Sequence, residues 1–239
     1  MEIDRKKFPL ENANGTVIIC PGGAYRSLSE REAGPVAEAF RSAGWSAEVL
    51  YYTVRTAEEQ PVLGLVPVHQ LSEAVAEVRR EQPGKPVIVC GFSAGAHLAA
   101  TLGVHWADLA LQRPDAMILS YPVITAKEGF LNEESFRNLT GNENRAYFSL
   151  EEHVSGNTPP AFLWHTAADT SVPVENSLFF SRALSREKIP FELHIYPNGV
   201  HGLSLATPEV EQPEKNRYPD PHVAGWFPAC AEWLAGLKL

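Results

Sequence analysis

The feature that most constrains this chain is Gly91-Phe92-Ser93-Ala94-Gly95, a G-x-S-x-G pattern in a particular setting. It follows the apolar run PVIVC (86–90) directly and opens the small-residue stretch AHLAATLG (96–103). The bare pattern recurs by chance, and in the bland reading Ser93 only caps a tight strand-to-helix turn. The strand–turn–helix context, however, is what a nucleophile elbow requires. There the serine sits on a strained turn, and the residues two before and two after it approach so closely that a Cβ would clash. Gly91 and Gly95 occupy those two places. Such a turn exposes the hydroxyl at the end of a strand and aims the next helix's N–H groups at developing negative charge.

The rest of the chain fits a sheet that could carry such a turn. Short apolar runs at 16–20 (TVIIC), 46–52, 86–90, 117–121, 161–166 (AFLWHT) and 191–196 (FELHIY) read as strands. Between them lie helical stretches. One is introduced by Ser29 and Glu32 at capping-box spacing and stopped by Gly44; another opens at Pro67; others cover 174–186 and 223–237. Strands separated by helices imply βαβ crossovers and a mostly parallel sheet with helices on both faces. Two irregular stretches, 126–160 and 205–221, read as loops next to the site.

Composition removes several function classes. With 239 residues, 44% hydrophobic and 21% charged, the chain reads as one globular domain over 1–239. A net charge of −9 repels phosphate backbones, so no nucleic-acid partner is expected. No apolar run approaches the ~18 residues of a membrane span, and the charged segment MEIDRKKFPLENANG predicts no secretory signal. Cys20, Cys90 and Cys230 lie far apart without a C-x-x-C pair, which argues against zinc or a disulfide scaffold. Cys20 and Cys90 are expected as buried thiols beneath the site, and the compartment expected is the cytoplasm.

A nucleophilic serine needs a base, and the base needs an orienting carboxylate. In this architecture the chain order is serine, acid, histidine. Asp108 reads as the end of the helix that Ser93 starts, and Asp115 precedes a strand, at the wrong edge of the sheet. Asp169 follows AFLWHT by three residues, at the right edge, and is the expected acid. His201, in NGVHG just after the last strand, is the expected base; His97 and His165 read as core residues. Ala94, the residue after the nucleophile, supplies one oxyanion N–H. The second is expected from Cys20-Pro21-Gly22-Gly23-Ala24-Tyr25, with Gly23 preferred, Ala24 next and Gly22 also available. Tyr25 and Phe92 are expected to contact substrate.

At this point the segments PGGAY, EVLYY, GFSAGAHLA, SYPV, HTAADTSVPV and GVHGL resemble the small cap-less α/β-hydrolase carbohydrate esterases, the acetyl-xylan-esterase-like or xylanase-associated group. That group is akin to feruloyl-esterase-like and hormone-sensitive-lipase-type hydrolases. The resemblance runs from about residue 16 to the C-terminus. It implies an α/β-hydrolase fold without a cap domain and a serine esterase acting on short acyl, especially acetyl, esters. The triad would be Ser93, Asp169 and His201, and no metal or organic cofactor would be needed. The family often has glycine where this chain has Ala24 and Ala96, and each methyl would narrow the acyl side.

The expected partner is therefore a small ester, an acetylated sugar among the candidates. A second copy of the chain lining the site is left open. Rival readings use the same triad for a peptidase of the prolyl-oligopeptidase kind, for which no N-terminal propeller fits in 239 residues, or for a thioesterase. A third rival is a non-catalytic ligand-binding module.

Overall fold

The computed structural model describes residues 3–141 and 143–237. The β-branched runs become a seven-stranded sheet: β1 (Asp4–Phe8), β2 (Thr16–Cys20), β3 (Ser46–Tyr51), β4 (Val87–Phe92), β5 (Ala116–Ser120), β6 (Ala161–Thr166) and β7 (Phe191–Tyr196). Their spatial order is β1-β3-β2-β4-β5-β6-β7. β1 runs antiparallel to β3, and every other neighbouring pair is parallel.

Alternate side chains of the central strands feed two cores, one on each face of the sheet. Ile18, Val87 and Val89 pack with Leu71 and Val75 of α2 (Val66–Glu81), Leu98 and Leu102 of α3 (Ala94–His105), and Phe180 of α5 (Glu175–Arg186). Val17, Ile19, Ile88 and Cys90 pack with Phe40 of α1 (Gly34–Ser42) and with Trp226 and Leu234 of α7 (Trp226–Gly236). All of α3 is buried, which explains its small, apolar sequence.

Four elements differ from the sequence reading. β1 (DRKKF) looks polar because it is an edge strand: Arg5 pairs with Glu48 and Glu77, and Lys7 lies 2.7 Å from Glu81. Within 126–160 lies α4 (Glu133–Thr140), capped by Asn132, whose side chain accepts from the Ser135 amide at 3.0 Å. The capping box at Ser29 and Glu32 does not form. Residues 30–32 make a single 3₁₀ turn, Ser29 makes no side-chain cap, and the Glu32 carboxylate turns inward. The final helix also divides, into α6 (Pro221–Ala224) and α7.

β2 and β4 are neighbours, with Cys20 opposite Gly91. The loops after β2, β4, β5, β6 and β7 therefore emerge together at the C-terminal edge of the sheet, where open α/β sheets place their sites. Cys20, Cys90 and Cys230 are buried free thiols, raised by burial well above the usual thiol range. Among the described residues, no helix is long and apolar enough to cross a membrane.

Ser93 sits at φ 54°, ψ −117°, in the left-handed half of backbone space. A Cβ on Gly91 would lie 2.2 Å from the Gly95 carbonyl oxygen, and one on Gly95 only 2.0 Å from that of Cys20. The obstructing atoms are backbone and cannot rotate away. Gly95→Ala should therefore destabilise the fold by about 3 kcal/mol or more, which lowers Tm by roughly 2–4 °C per kcal/mol at this size. Gly156→Ala, where a Cβ meets nothing within 4 Å, is the control. Equal melting temperatures for the two variants would contradict the close approach.

Candidate active site

Three loops bring Ser93, His201 and Asp169 into one hydrogen-bonded chain. The Ser93 hydroxyl lies 2.8 Å from His201 Nε2, and His201 Nδ1 lies 2.6 Å from Asp169 Oδ2. With the carboxylate on Nδ1, that nitrogen carries the proton and Nε2 faces the hydroxyl as an acceptor. The other Asp169 oxygen accepts from the Ser171 and Val172 amides at 2.9 and 3.0 Å. Burial of Asp169 favours its neutral form. The hydrogen bonds from His165, His201 and the Val172 amide outweigh burial and hold it far below the usual carboxylate range.

The loop that carries His201 is fixed from several sides. Gly199 and Gly202 flank it at φ 133° and 82°, values that suit glycine. Thr166 Oγ1 donates to the Gly199 carbonyl at 2.9 Å, and Arg217 Nε donates to the His201 carbonyl at 2.9 Å. The Tyr121 ring meets the His201 ring edge-to-face, centroids 5.0 Å apart. His165, read as a core residue, is buried and also touches the acid: its Nε2 is 3.0 Å from the Val172 carbonyl and 3.4 Å from Asp169 Oδ2. Asp115 lies at the far edge, accepting from the Val87 amide and pairing with Arg79.

On the oxyanion side, the Gly22 amide donates to Glu32 at 2.8 Å and is not free for a ligand. This removes Gly22 from the expected donors. The Gly23, Ala24 and Ala94 amides donate to no group among the described residues. Gly23, at φ 137°, tolerates no Cβ, because one would lie 2.1 Å from the Ser27 carbonyl oxygen. Ala24 and Tyr25 are both left-handed, at φ 53° and 58°.

Two expected substrate contacts are corrected. Tyr25 lies beneath the loop at 1% exposure, and its hydroxyl meets His97 Nδ1 at 2.9 Å. Phe92 is fully buried against Tyr121 and Trp226, because a residue just before the elbow serine points back into the core. Ala96 is buried as well, so its methyl does not narrow the site. Phe136 and Phe148 surround His97, and among the described residues of the 126–160 segment only Asn132 and Glu134 face the cavity. Gln212, Lys215 and Arg217 supply the 205–221 wall. The third wall, from Arg26 to Arg31, was not anticipated from sequence. The cavity over Ser93 and His201 encloses about 590 Å³, and most of its lining side chains are polar or charged.

The chain is similar to known proteins. Residues 68–230 fit the model of the prolyl oligopeptidase family. The chain belongs to that family of α/β-hydrolases. It is 34% identical to the acetyl ester-xyloside bifunctional hydrolase of Caldicellulosiruptor lactoaceticus, whose crystal structure superposes with a TM-score of 0.82 over 98% of this chain and 88% of that one. It is 39% identical to endo-1,4-beta-xylanase B of Butyrivibrio fibrisolvens over 81% of this chain, and 29% identical to an acetylxylan esterase of Xylanibacter ruminicola over 84%. The chain spans 33% and 43% of the length of those two relatives.

His97 supplies a pH test of the packing beneath this cavity. Burial lowers it to about 4, against an opposing hydrogen bond to the Phe148 carbonyl. In the unfolded chain a histidine titrates near ~6.5. Between those values only the unfolded chain binds the proton, so this contribution is full above pH ~6.5 and shrinks as pH falls toward 4. Urea unfolding at pH 7 and pH 5 should show wild type losing about 2 kcal/mol more than His97→Gln. Parallel losses would mean that His97 is not held neutral.

Proposed function

We propose that this protein is a serine esterase that removes short acyl groups, acetyl above all, from small hydroxylated substrates such as acetylated sugars. The observation that carries the reading is the continuous chain from the Ser93 hydroxyl through His201 to Asp169, facing a cavity with unpaired amides at Gly23 and Ala94. His201 Nε2 takes the Ser93 proton as Oγ attacks the ester carbonyl. The Gly23 and Ala94 amides receive the resulting oxyanion. Collapse breaks the bond to the alcohol, which leaves with the proton from His201. Water, deprotonated by the same imidazole, then attacks the acyl-Ser93 ester and releases the carboxylic acid. Asp169 holds the imidazole tautomer throughout and stabilises the imidazolium.

Support for acetyl and sugar comes from two directions. The relatives carry names that include acetylxylan esterase and acetyl ester-xyloside hydrolase. The cavity walls offer arginine, glutamate, serine and asparagine side chains, which suit a hydroxylated alcohol and give a long acyl chain little apolar surface. A peptidase reading shares the triad and the family. Turnover of an aryl acetate against an aminoacyl amide separates the two, and the acetate should be favoured strongly.

Ser93→Ala should reduce acetate hydrolysis to no more than the ~10³–10⁴-fold above water that binding and oxyanion donors can supply. Most activity surviving in that variant would exclude Ser93 as nucleophile. Asp169→Asn should cost on the order of 10⁴ in kcat if the carboxylate sets the tautomer, and an unchanged rate would require another acid. Across p-nitrophenyl esters, acetyl should outpace octanoyl by about an order of magnitude or more in kcat/KM. The opposite order would replace the sugar-ester reading with a lipase-like one.

A further inference from the structure

Glu32 is a buried carboxylate that the acyl-transfer scheme leaves unused. It is 4% exposed, yet it forms no ion pair among the described residues. One of its oxygens accepts the Gly22 amide at 2.8 Å, and the other accepts the Tyr121 hydroxyl at 2.6 Å. The Tyr121 oxygen in turn accepts the Ser204 amide at 3.0 Å, three residues beyond the base. Around this node the same segment is tied to the base loop twice more: Arg31 donates to the Gly202 carbonyl at 2.8 Å, and Ser204 Oγ donates to the Arg31 carbonyl at 2.7 Å.

We propose that Glu32 is a positioning residue that holds the oxyanion loop and the base loop in mutual register. By occupying the Gly22 amide it leaves the next amide, Gly23, to meet the oxyanion. By gripping Tyr121 it fixes the ring on which the His201 imidazole rests. The substrate side of this inference rests on the ester-hydrolysis reading.

Three features bear on the role of this carboxylate. Both direct partners are donors, and an ionised carboxylate accepts from both, whereas an amide can accept from only one of them through its oxygen. Gly22 is compact enough for the purpose: a Cβ there would lie 2.8 Å from Glu32 Oε2 and 3.0 Å from Ser93 Cβ, so carboxylate and nucleophile abut the same stretch of bare backbone. Tyr121 holds φ at +36°, an unfavourable value for an aromatic residue, and such strain persists where surrounding structure over-determines it. The hydroxyl remains a donor, since burial and then the Glu32 charge push Tyr121 well above the usual phenol range.

The test compares wild type, Glu32→Gln, Tyr121→Phe and the double variant. Each is assayed for kcat and KM on p-nitrophenyl acetate, per site titrated by a fluorophosphonate, and for the rate of that labelling at Ser93. Glu32→Gln should lower kcat on the order of 10²-fold, the scale of a lost oxyanion donor, with KM within about threefold. Labelling should slow in parallel, because the phosphonyl oxygen uses the same amides. Tyr121→Phe should lower kcat by about tenfold, and the double variant should fall well short of the product of the two single effects. Titrating active sites removes losses that come only from unfolded protein. If Glu32→Gln does not fold, Tyr121→Phe carries the test through its kcat and labelling rate. Rates per site within threefold of wild type, a change confined to KM, or effects that multiply cleanly would each overturn the proposal. A wild type that is labelled but hydrolyses no acetyl ester would defeat the ester reading alone, and the labelling rates would still decide Glu32. A wild type that is neither labelled nor active would overturn both.

Discussion

The left-handed backbone of Ser93 is the constraint on which the site geometry depends. Holding φ at 54° requires the chain before and after the serine to cross within backbone contact, which Gly91 and Gly95 allow. The same crossing lays Gly95 directly against the Cys20 and Pro21 carbonyls at the end of β2. Thus the turn that exposes the hydroxyl also fixes how near the β2 loop can come, and that loop carries the unpaired Gly23 amide. The positions of the proposed nucleophile and of the proposed oxyanion donor are two results of one close contact.

The surrounding polar groups convert that contact into a rigid site. The loop after β2 is pinned by elements from across the fold: Tyr52 donates to the Pro21 carbonyl at 2.5 Å, Asn138 to the Ala24 carbonyl at 2.9 Å, and the Arg55 amide to the Tyr25 carbonyl at 2.8 Å. The left-handed pair Ala24–Tyr25 would be costly in a free loop. Here each of its carbonyls is held, so the strain is fixed in place before any ligand arrives. In the proposed reaction, donors preorganised in this way would not have to reorient when charge develops, which is where most of the advantage of such donors lies.

The readable parts of the sequence were those governed by local rules. Ser93 announced itself because the strand, the two glycines and the helix lie within one short segment. Asp169 and His201 followed from chain order and from the strand ends they succeed. Other features were hidden because their partners are distant. β1 pairs its charges with Glu48, Glu77 and Glu81, far along the chain, so no local pattern marks it as a strand. Glu32 sat three residues after a serine and mimicked a capping box, while its true partners are Gly22 and Tyr121. Tyr25 and Phe92 adjoin the motifs in sequence, and only the direction of the backbone at the elbow and at the left-handed pair turns both inward. Tyr121 stood in the segment SYPV, which carried the family resemblance, but nothing local indicated its role.

That inward turn of the aromatic residues bears on acyl selectivity. Tyr25, Phe92, Phe136 and Phe148 are large side chains close to the motifs, and all four are buried in the cores on either side of the sheet. The walls left around Ser93 are drawn mainly from polar and charged residues such as Arg26, Glu30, Asn132, Glu134 and Arg217. A fatty acyl chain placed there would remove little apolar surface from water, and burial yields only about 25 cal/mol per Å² even where apolar walls exist. It would also crowd guanidinium and carboxylate groups that need water or a polar partner. An acetyl group displaces little of that water, and a sugar can replace much of it with hydroxyls. In the proposed reaction, short-acyl preference thus arises from aromatic residues being committed to the cores, without a dedicated steric gate.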